Sequence, residues 1–197
     1  MSNTKFILKH ALILFAIAFI CSLLLILCNN LTEGRIAQLQ AKAEADAQSE
    51  VLPEAKSFDT MDSTVMMLLS DSRVSAAFKG TAADGSTAGY CIKVEPTGFG
   101  GKISMMVGVS TDGEICGVKI TSMNETPGLG AKANDTWLTQ FKGKNGDISV
   151  IKSGTAKDNE INAISGATIT SKAVSDGVNI AVSAVKTISK AEGDING

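Results

Sequence analysis

Residues 11–28 form an unbroken run without a charge, and nearly every position in it is apolar. Eighteen residues of helix rise about 27 Å, the short end of what spans a bilayer. From residue 31 to about 51 the pattern changes to Ala, Gln, Glu and Lys, a composition that favours helix. Pro53 predicts its end. Residues 54–87 are mixed. Within them, 63–69 read as a short apolar helical element and 82–87 as a turn-rich stretch. Strand patterns follow at 89–95, 102–110 and 114–123, with Asp112-Gly113 between the last two predicting a β-hairpin. Residues 147–151 read as another strand. From Ser171 to about Lys190 apolar side chains recur at Val174, Val178, Ala181, Val182, Val185 and Ile188, the spacing of an amphipathic helix. A helix, then strands, then a packed helix predicts an α+β fold with an antiparallel sheet.

The expected organisation is a cytoplasmic N-terminus at 1–10, one transmembrane helix at 11–28, a helical stalk or linker at 29–57, and a folded domain at 58–197 with its core at 89–190. Lys5 and Lys9 precede the apolar run, whereas Glu33 and Arg35 follow it. The modest bias in basic residues places the N-terminus in the cytoplasm and the remainder outside, on a single-pass protein of the cell's inner or plasma membrane. The alternative is a cleaved secretory signal, but the run exceeds a usual signal core and no small-x-small site follows it.

Composition narrows the chemistry. Charged residues make up 19% of the 197 positions. Residues 29–197 carry 16 basic and 20 acidic side chains, a formal −4. A mildly acidic domain without a basic block argues against nucleic acid as partner. His10, at the membrane edge, is the single histidine. A Ser-His-Asp triad, a Cys-His pair or a multi-histidine metal centre cannot then be built in the domain from one chain. The four cysteines form no Cys-x-x-Cys motif, which removes local zinc, iron–sulfur and c-type haem signatures. Cys91 and Cys116 are either a disulfide or two buried thiols.

Two glycine-rich stretches flank the hairpin: Thr97-Gly98-Phe99-Gly100-Gly101 before it and Glu125-Thr126-Pro127-Gly128-Leu129-Gly130 after it. Neither has the spacing of a dinucleotide fingerprint or a Walker loop. Before the final helix stands Ser165-Gly166-Ala167-Thr168-Ile169-Thr170-Ser171. Two readings of this hydroxyl cluster are open. Thr170 or Ser171 caps the helix, or the helix start receives a phosphate, which its free amides and dipole favour.

Ser165-Gly166-Ala167-Thr168 resembles the flavinylation motif of the FMN-binding domain family. That family includes RnfG of the Rnf electron-transport complex and NqrC of the sodium-pumping NADH:quinone reductase. In the motif the last threonine is esterified to the phosphate of flavin mononucleotide (FMN). A carboxylate often stands six residues before it; Asn162 occupies that place here. The Gly98–Gly101 stretch and the Glu125–Gly130 loop are similar to two further family segments, and the three occur in family order across about half the chain.

The resemblance implies an FMN-binding domain with an antiparallel sheet and packed helices, and FMN bonded covalently to Thr168. Ser165, Gly166, Ala167 and Thr170 would surround the attachment. Thr126, Gly128 and Leu129 would lie against the flavin, with Glu125 at its edge or ordering the loop. It also implies a subunit of an ion-translocating oxidoreductase with no active site of its own. Its partners would be other membrane subunits and a maturing flavin transferase. Chain length favours the Rnf type over the quinone reductase or a stand-alone extracytosolic flavin reductase. A membrane-anchored binding module without redox chemistry is the reading from a different class.

Overall fold

The computed structural model describes residues 2–69, 71–133 and 135–195. The chain divides into two compact units, Met1–Ala43 and Glu44–Gly197. A single helix, α1 (Ser2–Val51), runs through the first unit and ends in the second. In the first unit every described side chain from residue 6 to 43 is exposed. The helix is long and apolar enough to cross a membrane. Leaving so many Leu, Ile and Phe side chains in water would cost about 1.5–3 kcal/mol apiece, and a bilayer removes that cost. The helix does not break at residue 28. It stops at Val51, two positions before Pro53, whose ring disfavours helix in the residue ahead of it.

The second unit is built on a five-stranded antiparallel sheet in which each strand pairs with the next in sequence: β1 (Ser57–Thr60), β2 (Val74–Thr81), β3 (Thr87–Val94), β4 (Ser104–Ser110) and β5 (Ile115–Ser122). The short helix α2 (Ser63–Leu68) lies between β1 and β2. The expected hairpin is β4–β5. Gly113 takes φ +84° in its turn, a conformation that needs no Cβ there. β1 and β2 fall inside the stretch that read as mixed. In β2 the alternation is blunted by Ala76, Ala77 and Gly80, and the small residue at 80 has a packing cause. A Cβ at Gly80 would stand 2.6 Å from Leu52 Cδ2 and 2.9 Å from Ala55 Cβ.

The final helix, α4 (Thr168–Ile195), packs along one face of the sheet. Val174, Val178, Val182, Val185 and Ile188 meet Tyr90, Ile92 and Val94 of β3 and Met105, Val107 and Val109 of β4 in one buried cluster. At its far end, Tyr90 donates its hydroxyl hydrogen to Glu192 at 2.8 Å, and Lys79 pairs with the same carboxylate at 3.0 Å. Between β5 and α4 lie α3 (Asp135–Leu138), β6 (Ser149–Ile151) and β7 (Glu160–Asn162), the last two paired in parallel. Asn179 of α4 serves Ile148, just ahead of β6, as a strand neighbour would: it accepts from the Ile148 amide at 2.8 Å and donates to the Ile148 carbonyl at 3.0 Å.

The opposite face of the sheet receives the end of α1. Ala47, Val51, Leu52 and Ala55 close a second buried cluster over Cys91 and Met106. Gly108 and Gly117 face each other across β4 and β5 directly beneath Val51. Lys93 pairs with Glu44 at 3.1 Å and Lys119 with Glu50 at 3.0 Å. Such partly exposed pairs add little stability, so the apolar contacts and the glycine seat carry the junction.

Candidate functional site

The chain leaves β7 at Asn162 and turns into α4 through Ser165-Gly166-Ala167. Gly166 takes φ +76°, which any side chain would strain. The turn is locked from within by Ser171. Its hydroxyl accepts from the Ile164 amide at 2.9 Å and donates to the Ala167 carbonyl at 2.9 Å. α4 starts at Thr168, three residues earlier than the periodicity predicted. Thr168, Ile169 and Thr170 therefore sit in the first turn, where amides have no acceptor within the helix. Neither hydroxyl proposed as a cap has that role. Ser171 is occupied by the turn, and Thr170 donates to Glu125 Oε2 at 2.7 Å. Thr168 is half-buried, and its hydroxyl makes no hydrogen bond to another described residue.

Glu125 is the organising group. Only 8% of it is exposed. Its Oε1 accepts from the Gly100 amide at 3.0 Å, and its Oε2 takes the Thr170 bond. The two glycine-rich stretches are glycine-rich because they wrap this carboxylate. A Cβ at Gly98 would lie 2.3 Å from Oε1, and one at Gly130 would lie 2.6 Å from Oε2. A Cβ at Gly100 would lie 2.0 Å from the Asn124 carbonyl oxygen.

Beside this knot is a cleft of about 350 Å³, lined by Phe99, Glu125, Thr126, Leu129, Gly130, Gly166, Ala167, Thr168, Ile169 and Thr170. Its exposed walls are mainly apolar. Phe99, Leu129 and Ile169 are 69%, 43% and 56% exposed, and among the described residues of the second unit the other large hydrophobics that open to solvent are Met67 and Leu68 on α2. Seven of the sequence-predicted residues meet here. Ser165 and Gly128 stand outside the lining. Phe99, Gly130 and Ile169 were not singled out as site residues. The signal for Phe99 was an aromatic flanked by glycines in an aromatic-poor chain. Asn162, where a carboxylate was expected, is exposed on β7, and its carbonyl accepts from Trp137 Nε1 at 2.9 Å.

Other chemistry is sparse. Among the described residues no cluster of His, Cys, Asp and Glu gathers to hold a metal. Cys91 and Cys116 are free. The pairing Cys91–Gly108–Gly117 puts a whole strand between them. Two strand spacings are about 9.5 Å, beyond the roughly 7 Å that a disulfide tolerates. Burial pushes the Cys91 thiol up to about 12, and burial also raises Cys116. A second groove of about 550 Å³ between α2 and α4 contains none of the predicted residues. Its Arg73 guanidinium grips Asp71 and holds that carboxyl below the usual range.

A family model described as the FMN-binding domain matches residues 98–183, and one described as the RnfG N-terminal region matches residues 1–51. The RnfG-type subunit of the sodium-translocating ferredoxin:NAD(+) oxidoreductase complex of Acetobacterium woodii is 37% identical, over 94% of this chain and 95% of that one. The chain belongs to the RnfG family. A second member, from the ion-translocating oxidoreductase complex of Methanosarcina acetivorans, is 32% identical over 92% of this chain and 96% of its own. The fold of this RnfG family member also resembles the crystal structure of Shewanella oneidensis NqrC. The TM-score is 0.57 at 19% identity, over 76% of this chain and 97% of that one. The corresponding polypeptide of the sodium-translocating NADH-quinone reductase of Parabacteroides distasonis gives the same score at 21% identity, over 79% and 96%.

Proposed function

We propose that this chain relays electrons within a membrane-bound Rnf-type complex that couples ferredoxin:NAD oxidoreduction to Na⁺ or H⁺ translocation. In this reading it carries one FMN joined through its phosphate to Thr168. The observation that carries the proposal is the Thr168 hydroxyl, half-buried and unpartnered among the described residues, at the head of α4 and in the wall of an apolar cleft.

The residues fit the group. A phosphodiester on Thr168 keeps one negative charge, which the first-turn amides and the helix dipole favour. Phe99, Leu129 and Ile169 offer apolar surface to a flat tricyclic ring. The cleft volume lies in the range of small-molecule sites. Gly166, bare of side chain, leaves the approach to the phosphate open. Bound there, FMN supplies one- and two-electron redox chemistry, and the protein supplies position and environment. A tether through phosphate leaves the ring unaltered and prevents its loss.

The exposed apolar stretch of α1 supports anchoring in the membrane, and Lys5 and Lys9 ahead of it favour the N-terminus in the cytoplasm and residues 29–197 outside. Partners in this reading are the other membrane subunits and a flavin transferase. The chain itself has no separate active site.

The test is direct. Co-expression with a flavin transferase, denaturing electrophoresis and ultraviolet illumination should show a fluorescent band with the mass increment of FMN. Thr168→Val should fold and lose the band. A dark wild-type band would sink the flavoprotein reading, and a bright Thr168→Val band would move the attachment elsewhere.

A further inference from the structure

We infer that Glu125 and Thr170 are positioning residues that latch the cleft walls together rather than contacts for the ligand, an inference that rests on the FMN reading above. Both oxygens of Glu125 are committed inside the protein, one to the Gly100 amide and one to the Thr170 hydroxyl. Glu125 is 8% and Thr170 is 1% exposed. Little polar surface of either is left to offer a ligand. What the two bonds do is join three segments, and each segment carries one apolar wall residue. Gly100 lies next to Phe99, Glu125 leads into the loop with Leu129, and Thr170 lies next to Ile169. The glycines at 98 and 130 are small where a Cβ would strike the carboxylate oxygens. The latch thus sets the spacing of the walls. The attachment point is held separately, because the turn before Thr168 is fastened by Ser171 to Ile164 and Ala167. Cutting the latch should release the walls and spare the attachment.

The test uses the full chain, co-expressed with the flavin transferase and purified in detergent, as wild type, Glu125→Ala, Glu125→Gln and Thr170→Val. Denaturing-gel fluorescence reads attachment. Native flavin fluorescence and midpoint potential read positioning. Glu125→Ala and Thr170→Val should keep the band, while their native fluorescence and potential shift toward those of the unfolded flavinylated chain. Glu125→Gln should restore both, since its amide carbonyl can accept from Gly100 and its NH₂ can donate to the Thr170 oxygen. In the unflavinylated Thr168→Val background, Glu125→Ala should speed hydrogen exchange of the Gly100 amide. Native fluorescence and potential unchanged in Glu125→Ala and Thr170→Val would overturn the inference, as would loss of the band in a folded latch variant. Should Glu125→Ala fail to fold, Thr170→Val, which removes one bond, decides the matter alone. A wild type without any band would overturn the FMN reading instead, so the two failures are distinct.

Discussion

Gly108→Ala would press a methyl group into the seat where the end of α1 meets the sheet. The added carbon would stand 2.2 Å from the Val51 carbonyl oxygen, 2.6 Å from its carbonyl carbon and 3.1 Å from its Cβ. The two nearest atoms are backbone, so no rotamer change relieves the overlap. Optimal carbon contacts lie at about 3.5–4.0 Å, and the helix end must therefore retreat by about 1 Å. Val51 and Leu52 are fully packed there. Overpacking of this kind costs about 1–3 kcal/mol, and relieving a strand glycine returns about 0.5–1 kcal/mol. With Leu52 partly unseated as well, a net loss of about 2 kcal/mol is expected. Urea unfolding of the detergent-solubilised chain, followed through the lone Trp137, should show a lower midpoint at unchanged slope. Cys91 gives a second readout. It is fully buried against the Gln48 carbonyl, at 3.9 Å. If local opening limits its alkylation, 2 kcal/mol corresponds to a labelling rate about 30-fold faster. Gly117→Ala, whose Cβ would lie 3.0 Å from Val51 Cα, should show a smaller version of both effects. A midpoint and a Cys91 labelling rate equal to wild type in Gly108→Ala would refute the reasoning.

Three further outcomes are expected. The Cys91 thiol titrates at about 12 in the folded chain against 9.0 ordinarily, so between those values the unfolded state holds fewer protons and stability falls as pH rises. The slope is about 1.4 kcal/mol per unit from this one group, and Cys91→Ala should flatten the wild-type stability profile between pH 9.5 and 10.5 by about that amount. Tyr90→Phe removes one of the bonds that hold Glu192 at the far end of α4, and should lower stability by about 1 kcal/mol in chemical denaturation. If residues 44–197 lie outside the cytoplasm, Ser153→Cys at an exposed position should react with a membrane-impermeant maleimide in intact cells or spheroplasts; labelling only after lysis would reverse the orientation.

Local features were legible in the sequence. Asp112-Gly113 marked the β4–β5 turn, and the valine spacing marked α4, because both signals are carried by near neighbours. β2 was missed because Ala76, Ala77 and Gly80 are small, and at 80 the cause is Leu52 and Ala55, which come from another part of the chain. By themselves the glycine-rich stretches matched neither a dinucleotide fingerprint nor a Walker loop, and their crowding around Glu125 depends on segments far apart in sequence. The start of α4 was misjudged because a cluster of hydroxyls resembles a cap. Thr170 and Ser171 had other partners, Glu125 and Ile164, that no local pattern reveals. Leu129 was expected at the site from the family resemblance, whereas Phe99 and Ile169 joined it in the lining only once the fold brought the three together.

The bonds of Glu125 close gaps of 25 and 45 residues. Contacts of such separation must await the ordering of the chain between them, whereas a hairpin and a helix form from neighbours. The first turn of α4 draws on Ile164, Ala167 and Ser171, all within a few positions of Thr168. Thr168 can therefore be presented on a formed turn while the walls beside it are still apart. On this ordering, the Thr168 hydroxyl is expected to stand on its formed turn before the cleft beside it has closed.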